Sequence, residues 1–443
     1  SHMFLSRVRV LTAFFFFVML IIVCRLYFLQ IVHGKAYAQK ANAQFVGPHD
    51  PLAERGTIYF VDKNGTSITA ATMKEGYAIA VNPTAVTDAE ALWLALKDIV
   101  PLTHEVFIAK ATKPSSRYQL LAEHLDVQTG RNILAQKLPG IIVQSDRWRL
   151  YPGGSLAAQT LGFVAYNGDV EQGRYGLERY YDPILSRFAT DLYANFFIEL
   201  FGSVQSSMRD EPKQGDLVTT IEPTVQAELE RQLMIYDQTW HPKLSGGIIM
   251  NPQNGEIYAM AVYPTFDLNA FNTQTNPSIY ANPLVQNVYE MGSIMKPLTM
   301  AAGLDSGAIT ATTTYYDTGC LTVDTKKICN FDGKARGTIP MQQVLSQSLN
   351  VGASWIATRM GQATQREYFL NRFGFGTTTG IDQPGEIKGI TNNLQSKYQV
   401  GYDTASFGQG IALTPVATAR ALAVLANGGY LVVPHVVKSV EFD

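Results

Sequence analysis

Val10 to Val32 is apolar apart from a few polar residues, chiefly Arg25 and Gln30. As a helix this run is about 33 Å long at 1.5 Å per residue, enough to cross a bilayer. Arg7 and Arg9 precede it, which puts the N-terminus in the cytoplasm and the bulk of the chain outside. Residues 8–32 read as an uncleaved, single-pass anchor, too long for a signal-peptide core and followed by no clear small-x-small cleavage site. Arg25, near the outer end, is placed to snorkel to the interface.

Beyond a polar stretch the pattern changes period. Arg55 to Val61 alternates β-formers and ends in Asp62-Lys63-Asn64-Gly65, a strand into a turn, with a second strand after it. Tyr77 to Val81 is again strand-like. Thr87 to Ile99 is helical with Asp88 or Thr87 as cap, and Asp126 to Gln136 is helical despite Gly130. Arg147 to Pro152 and Gly162 to Val164 read as strands flanking a short helix, and Gly176 to Tyr181 opens another. Residues 45–214 thus form a mixed α+β module with no catalytic constellation, a pedestal or interaction module. Within it Leu192 to Phe201 (LYANFFIELF) reads as a core element, with an exposed apolar patch as the alternative.

From Gly215 the pattern is a strand to Pro223, a helix over Val225 to Tyr236, and a hairpin of Gly246–Asn251 and Glu256–Val262 around Pro252-Gln253-Asn254-Gly255. The fold class is α+β: anchor, pedestal, then a sheet flanked by helices over residues 215–443.

Composition narrows the function. A chain of 443 residues holds two or more domains, and a net charge of -2 gives nucleic acid no basic face. Ser1-His2 before Met3 is read as a tag remnant. Three cysteines make no disulfide framework; Cys24 lies in the apolar run. Cys320 and Cys329 sit in a hairpin-like segment, and outside the cytoplasm a bridge between them stands open beside two reduced thiols. No His/Cys/carboxylate cluster has zinc-like spacing, so neither metal nor other cofactor is expected.

The chemistry centres on Ser293-Ile294-Met295-Lys296. A helix starting at or just before Ser293 puts Lys296 on the same face one turn on. A serine hydroxyl needs a neighbouring base, and a lysine serves if desolvation and nearby positive charge depress its pKa. Gly292 gives a tight entry, and the Ser293 amide at a helix N-terminus can hold an oxyanion. About 55 residues on, Ser348-Leu349-Asn350 on a loop between helices can set a hydroxyl and an amide opposite Lys296. The hydroxyl can relay a proton; the amide can bind both a substrate peptide and the lysine.

From Arg7 onward the chain resembles the class B penicillin-binding proteins, the monofunctional peptidoglycan D,D-transpeptidases. Landmarks run in order: Arg55-Gly56, Arg149-Leu150-Tyr151-Pro152, Gly176-Leu177-Glu178, Gly215-Asp216 and Pro264-Thr265-Phe266-Asp267. Then come Tyr289 to Pro297, Ser348 to Gly352, Ser406-Phe407-Gly408-Gln409-Gly410-Ile411 and Thr414-Pro415. The resemblance, closer to the septal branch, implies that Ser293 attacks the penultimate D-Ala of a stem peptide and that Lys296 is the acylation base. It implies that Ser348 shuttles the proton to the leaving amine, that Asn350 positions substrate, and that β-lactams acylate Ser293. It also implies a polytopic membrane glycosyltransferase and other wall-synthesis or division proteins as partners. The family's Lys-Thr-Gly strand is absent before Asp443, which is read as truncation rather than degeneration, and the shortened chain is expected to be impaired. The rival reading is a non-catalytic β-lactam-binding sensor or scaffold; a serine β-lactamase fits the large N-terminal module poorly.

Overall fold

The computed structural model describes residues 54–167, 170–187 and 214–442, with Met19 and Arg25 alone upstream. Apart from those two positions the predicted anchor lies outside the described residues, as does Leu192–Phe201. Among the described residues no helix is long and apolar enough to cross a membrane.

The chain is a mixed α+β structure. Strand β1 (Ile58–Val61) turns through Asp62, whose carboxylate accepts the Asn64 and Thr66 N–H groups, into β2 (Ser67–Val81). The predicted second strand and the Tyr77–Val81 strand are therefore one 15-residue element. Gly76 lets it continue, since a side chain there would stand 2.1 Å from the Leu125 carbonyl oxygen. Helices α1 (Ala89–Leu96) and α2 (His104–Ala111) follow, the first capped by Asp88 accepting from Ala91 N. The sequence pattern did not indicate α2. Strand β3 (Gln119–Leu125), helix α3 (Val127–Gln136) and strand β4 (Ile141–Leu150) complete the outer part. Asp126 caps α3 through Thr129 N, and Gly130 is required because the Tyr77 ring lies where its Cβ would be. The first half of β2 pairs with β1, and its second half lies between β3 and β4. Ile79, Val81, Leu96, Phe107 and Ile133 form the core beneath.

Strand β5 (Gly215–Thr219) runs parallel to β1, so one sheet crosses from the first half of the chain into the second. Helix α4 (Pro223–Trp240), capped by Glu222, packs on the hairpin β6 (Ser245–Met250) and β7 (Ile257–Tyr263).

A separate core surrounds helix α5 (Lys296–Asp305). Around it lie β8 (Thr314–Asp317), the hairpin β9 (Cys320–Val323) and β10 (Lys326–Cys329), and β11 (Gly337–Pro340), which pairs with β8. Helices α6 (Gln342–Ser346), α7 (Asn350–Met360), α8 (Gln399–Ala405) and α9 (Pro415–Ala423) follow. Strand β12 (Val437–Phe442) returns to pair with β5.

The sequence landmarks of the first half meet at this junction. Thr57 N donates to Asp216 Oδ1 at 2.8 Å, and a Cβ on Gly56 would stand 2.2 Å from the Gly215 oxygen. Wholly buried Glu178 receives Arg55 Nε at 2.6 Å and Arg149 Nε at 2.7 Å; Arg55 also reaches Asp182 at 2.9 Å.

Candidate active site

Lys296 opens α5, and the turn before it, Gly292–Met295, is a 3-10 helix. With three residues per turn, positions i and i+3 eclipse, which sets Ser293 above Lys296. Gly292 enters the turn at φ +62°. Ser293 is exposed whereas Lys296 is only 2% exposed, so the hydroxyl meets solvent and the amine is sealed beneath it.

Lys296 Nζ has three partners: Ser293 Oγ at 3.1 Å, Ser348 Oγ at 2.9 Å and the Ser348 carbonyl at 2.7 Å. Ser348 lies in the α6–α7 connection at φ +53°, and that left-handed turn points its hydroxyl and its carbonyl at one amine. The sequence-selected Ser293, Lys296 and Ser348 are thus within one hydrogen-bonded group. Burial lowers the Lys296 pKa from 10.5 to about 8. The positive neighbour expected from the sequence contributes nothing to that shift.

Asn350, the first residue of α7, differs from expectation. Its Nδ2 donates to the Cys329 carbonyl at 3.0 Å, and no hydrogen bond joins it to Lys296. The lysine's three donors are already taken by two hydroxyls and a carbonyl, so none is left for the Asn350 amide oxygen, while the amide nitrogen takes the Cys329 carbonyl. The sulfurs of Cys320 and Cys329 are bonded, across the β9–β10 pair where the two residues face each other.

The segment Ser406–Ile411 carries no chemistry legible in its sequence. Residues 406–413 run alongside the Ser293 turn: Gly292 N donates to Gly408 O at 3.1 Å, and Tyr289 and Leu413 exchange N–H···O bonds of 2.9 Å. Gly410 N reaches Glu290 Oε1 at 2.7 Å, and Thr299 Oγ1 reaches the Ser406 carbonyl at 2.6 Å. Gly408 has φ +78°, and a methyl group there would stand 2.2 Å from Gly292 O. Gly408→Ala is expected to destabilise the chain by about 1–3 kcal/mol and displace Ser293. Thermal melting and the rate of covalent labelling of Ser293 should both fall; an unchanged labelling rate would show that this contact does not place the Ser293 hydroxyl.

Residues 246–442 match the family of the penicillin binding protein transpeptidase domain, and residues 51–187 match the penicillin-binding protein dimerisation domain. The Stage V sporulation protein D of Bacillus subtilis is 31% identical over 95% of this chain and 65% of its own length. The chain belongs to the class B penicillin-binding proteins. Another class B relative, the peptidoglycan D,D-transpeptidase MrdA of Escherichia coli K12, is 27% identical over 98% of this chain and 74% of its own. The crystal structure of Penicillin Binding Protein 2X from Streptococcus thermophilus shares the fold. Its TM-score is 0.68 at 22% identity, covering 88% of this penicillin-binding protein and 60% of that chain. The chain therefore spans about two thirds of the length of such relatives. Family membership gives the Ser293–Lys296–Ser348 group a chemical context.

Proposed function

We propose that the chain is a serine D,D-transpeptidase that cross-links peptidoglycan, with its transpeptidase domain over residues 215–443 and its pedestal over 45–214. The observation that carries this reading is the sealed Lys296 amine, 3.1 Å from Ser293 Oγ and 2.9 Å from Ser348 Oγ. With a pKa of about 8, roughly a tenth of Lys296 is neutral at pH 7. That fraction takes the Ser293 proton as Oγ attacks the carbonyl carbon of the penultimate D-Ala. The Ser293 N–H, in the first helical turn, supports the developing oxyanion. As the carbon–nitrogen bond breaks, the proton passes through Ser348 Oγ to the departing amine of the terminal D-Ala. The amine of a second stem peptide then attacks the ester, forming the cross-link and returning Ser293 to its hydroxyl. Asn350 faces the donor peptide from the start of α7. β-Lactams acylate Ser293 by the same first step.

Two further parts of the reading rest on the sequence. Residues 8–32 anchor the protein in the bacterial cytoplasmic membrane with the catalytic domain outside, and the septal resemblance assigns it to septal wall synthesis. The pedestal and anchor bind a polytopic glycosyltransferase that makes the strands cross-linked here. Failure to co-purify with it from detergent, in a chain of native length, would remove that partner.

The test is intact mass after incubation with a penicillin, on this chain and on one continued past Asp443. One penicilloyl group on the longer chain, lost in Ser293→Ala, is the expected result. A longer chain that is folded and unlabelled would overturn the enzyme reading in favour of a scaffold.

A further inference from the structure

Two polar residues outside this chemistry are buried together behind Ser348 and Asn350. Asp317, ending β8, is 0% exposed, and Asn330, just past β10, is 3% exposed. Asn330 Nδ2 donates to both Asp317 oxygens at 3.1 Å, and Asn330 Oδ1 accepts the Val351 N–H at 3.1 Å. Val351 is the second residue of α7. The neighbouring Cys329 carbonyl takes Asn350 Nδ2 at 3.0 Å, so consecutive residues grip the first two residues of the helix. Asp317 is itself fixed by the Arg336 N–H at 3.0 Å.

This arrangement leaves the Asn330 amide one orientation, its nitrogen on the carboxylate and its oxygen on the Val351 N–H. An apolar pair of similar volume would cost the fold less than a buried carboxylate and amide. What the pair supplies is direction. It acts immediately after Ser348, whose φ of +53° is one a serine holds only under constraint from its surroundings.

We propose that Asp317 and Asn330 are positioning residues that hold the Ser348–Asn350 turn against Lys296, acting through the Val351 N–H and the Cys329 carbonyl. The inference rests on the reading of Ser293 as nucleophile. Displacing a reacting group by about 1 Å costs on the order of 10²-fold in rate.

The test uses the longer chain and compares Asn330→Asp, Asn330→Ala and the exchange Asp317→Asn/Asn330→Asp. Asn330→Asp sets two carboxylates against each other. In the exchange, the amide at 317 donates to the carboxylate at 330, which still accepts from Val351, while the amide oxygen keeps the Arg336 N–H. Acylation rate constant, non-covalent penicillin affinity and melting temperature are read for each. Asn330→Asp should acylate about 10²-fold slower with affinity little changed, and Asn330→Ala about 10-fold slower. The exchange should recover to within about 3-fold. Should Asn330→Asp fail to fold, Asn330→Ala and the exchange carry the comparison. Folded variants acylating at the parental rate, or an exchange that restores melting temperature without restoring acylation, overturn the proposal. An unlabelled parent instead overturns the nucleophile reading beneath it, and the proposal falls with it.

Discussion

Replacing Lys296 with methionine will slow acylation of Ser293 by about 10²–10⁴-fold, the usual range for loss of a general base. The chain will stay folded. Lys296 Nζ is the group within reach of both hydroxyls, at 3.1 Å and 2.9 Å, and methionine fills a similar volume without accepting a proton. A site that is 2% exposed favours the uncharged side chain, so the melting temperature should hold or rise. The parental acylation rate should climb with pH through about 8 as the amine loses its proton, and that limb should vanish in the variant. Linkage has the same sign. Between about 8 and 10.5 the unfolded chain binds a proton on this lysine that the folded chain does not. Its contribution to stability is therefore complete above 10.5 and lost as pH falls through about 8. Stopped-flow acylation against pH, with melts alongside, checks both; a variant with the parental rate would remove Lys296 as the base.

The second large effect falls on stability instead. Glu178→Gln places an amide where Arg55 Nε and Arg149 Nε now donate to a wholly buried carboxylate at 2.6 and 2.7 Å. Two guanidinium groups are left without their shared counter-charge, and breaking a buried pair costs about 3–5 kcal/mol. The melting transition should drop by on the order of 10 °C. Molecules still folded should acylate within about 3-fold of the parental rate, since the site lies in a separate core and distant substitutions act independently. Burial raises the Glu178 pKa, but Arg149 and Arg55 outweigh it, and the net shift is below the ordinary 4.5. The stabilisation is thus present above 4.5 and disappears as pH falls through the lower folded value. Acid melts should show the parent losing this margin below about pH 4.5 and the variant lacking it throughout. Equal melting temperatures at pH 7 would show that the cluster does not hold the junction.

These two variants separate what was legible in the sequence from what was not. Local features could be read directly, because each depends on residues a few positions apart. Asp88 caps its helix through the N–H group three residues on, and the β6–β7 hairpin follows its turn residues. The Ser293–Lys296 relation is of this kind, set by one turn of 3-10 helix.

Long-range pairing was decided only by tertiary structure. Nothing within residues 67–81 says that one strand passes from β1 to a place between β3 and β4, or that β5 lies parallel to β1. Arg55, Arg149 and Glu178 could be noticed as landmarks, but their union at one carboxylate spans 123 residues of chain. At the site the same limit appears as competition among acceptors. The sequence brought Asn350 near Lys296, yet only the folded positions of the Cys329 carbonyl and the Ser348 turn decide which group each donor takes. The lysine's lowered pKa likewise follows from the depth of its burial, a property of the packed core rather than of any neighbour in sequence.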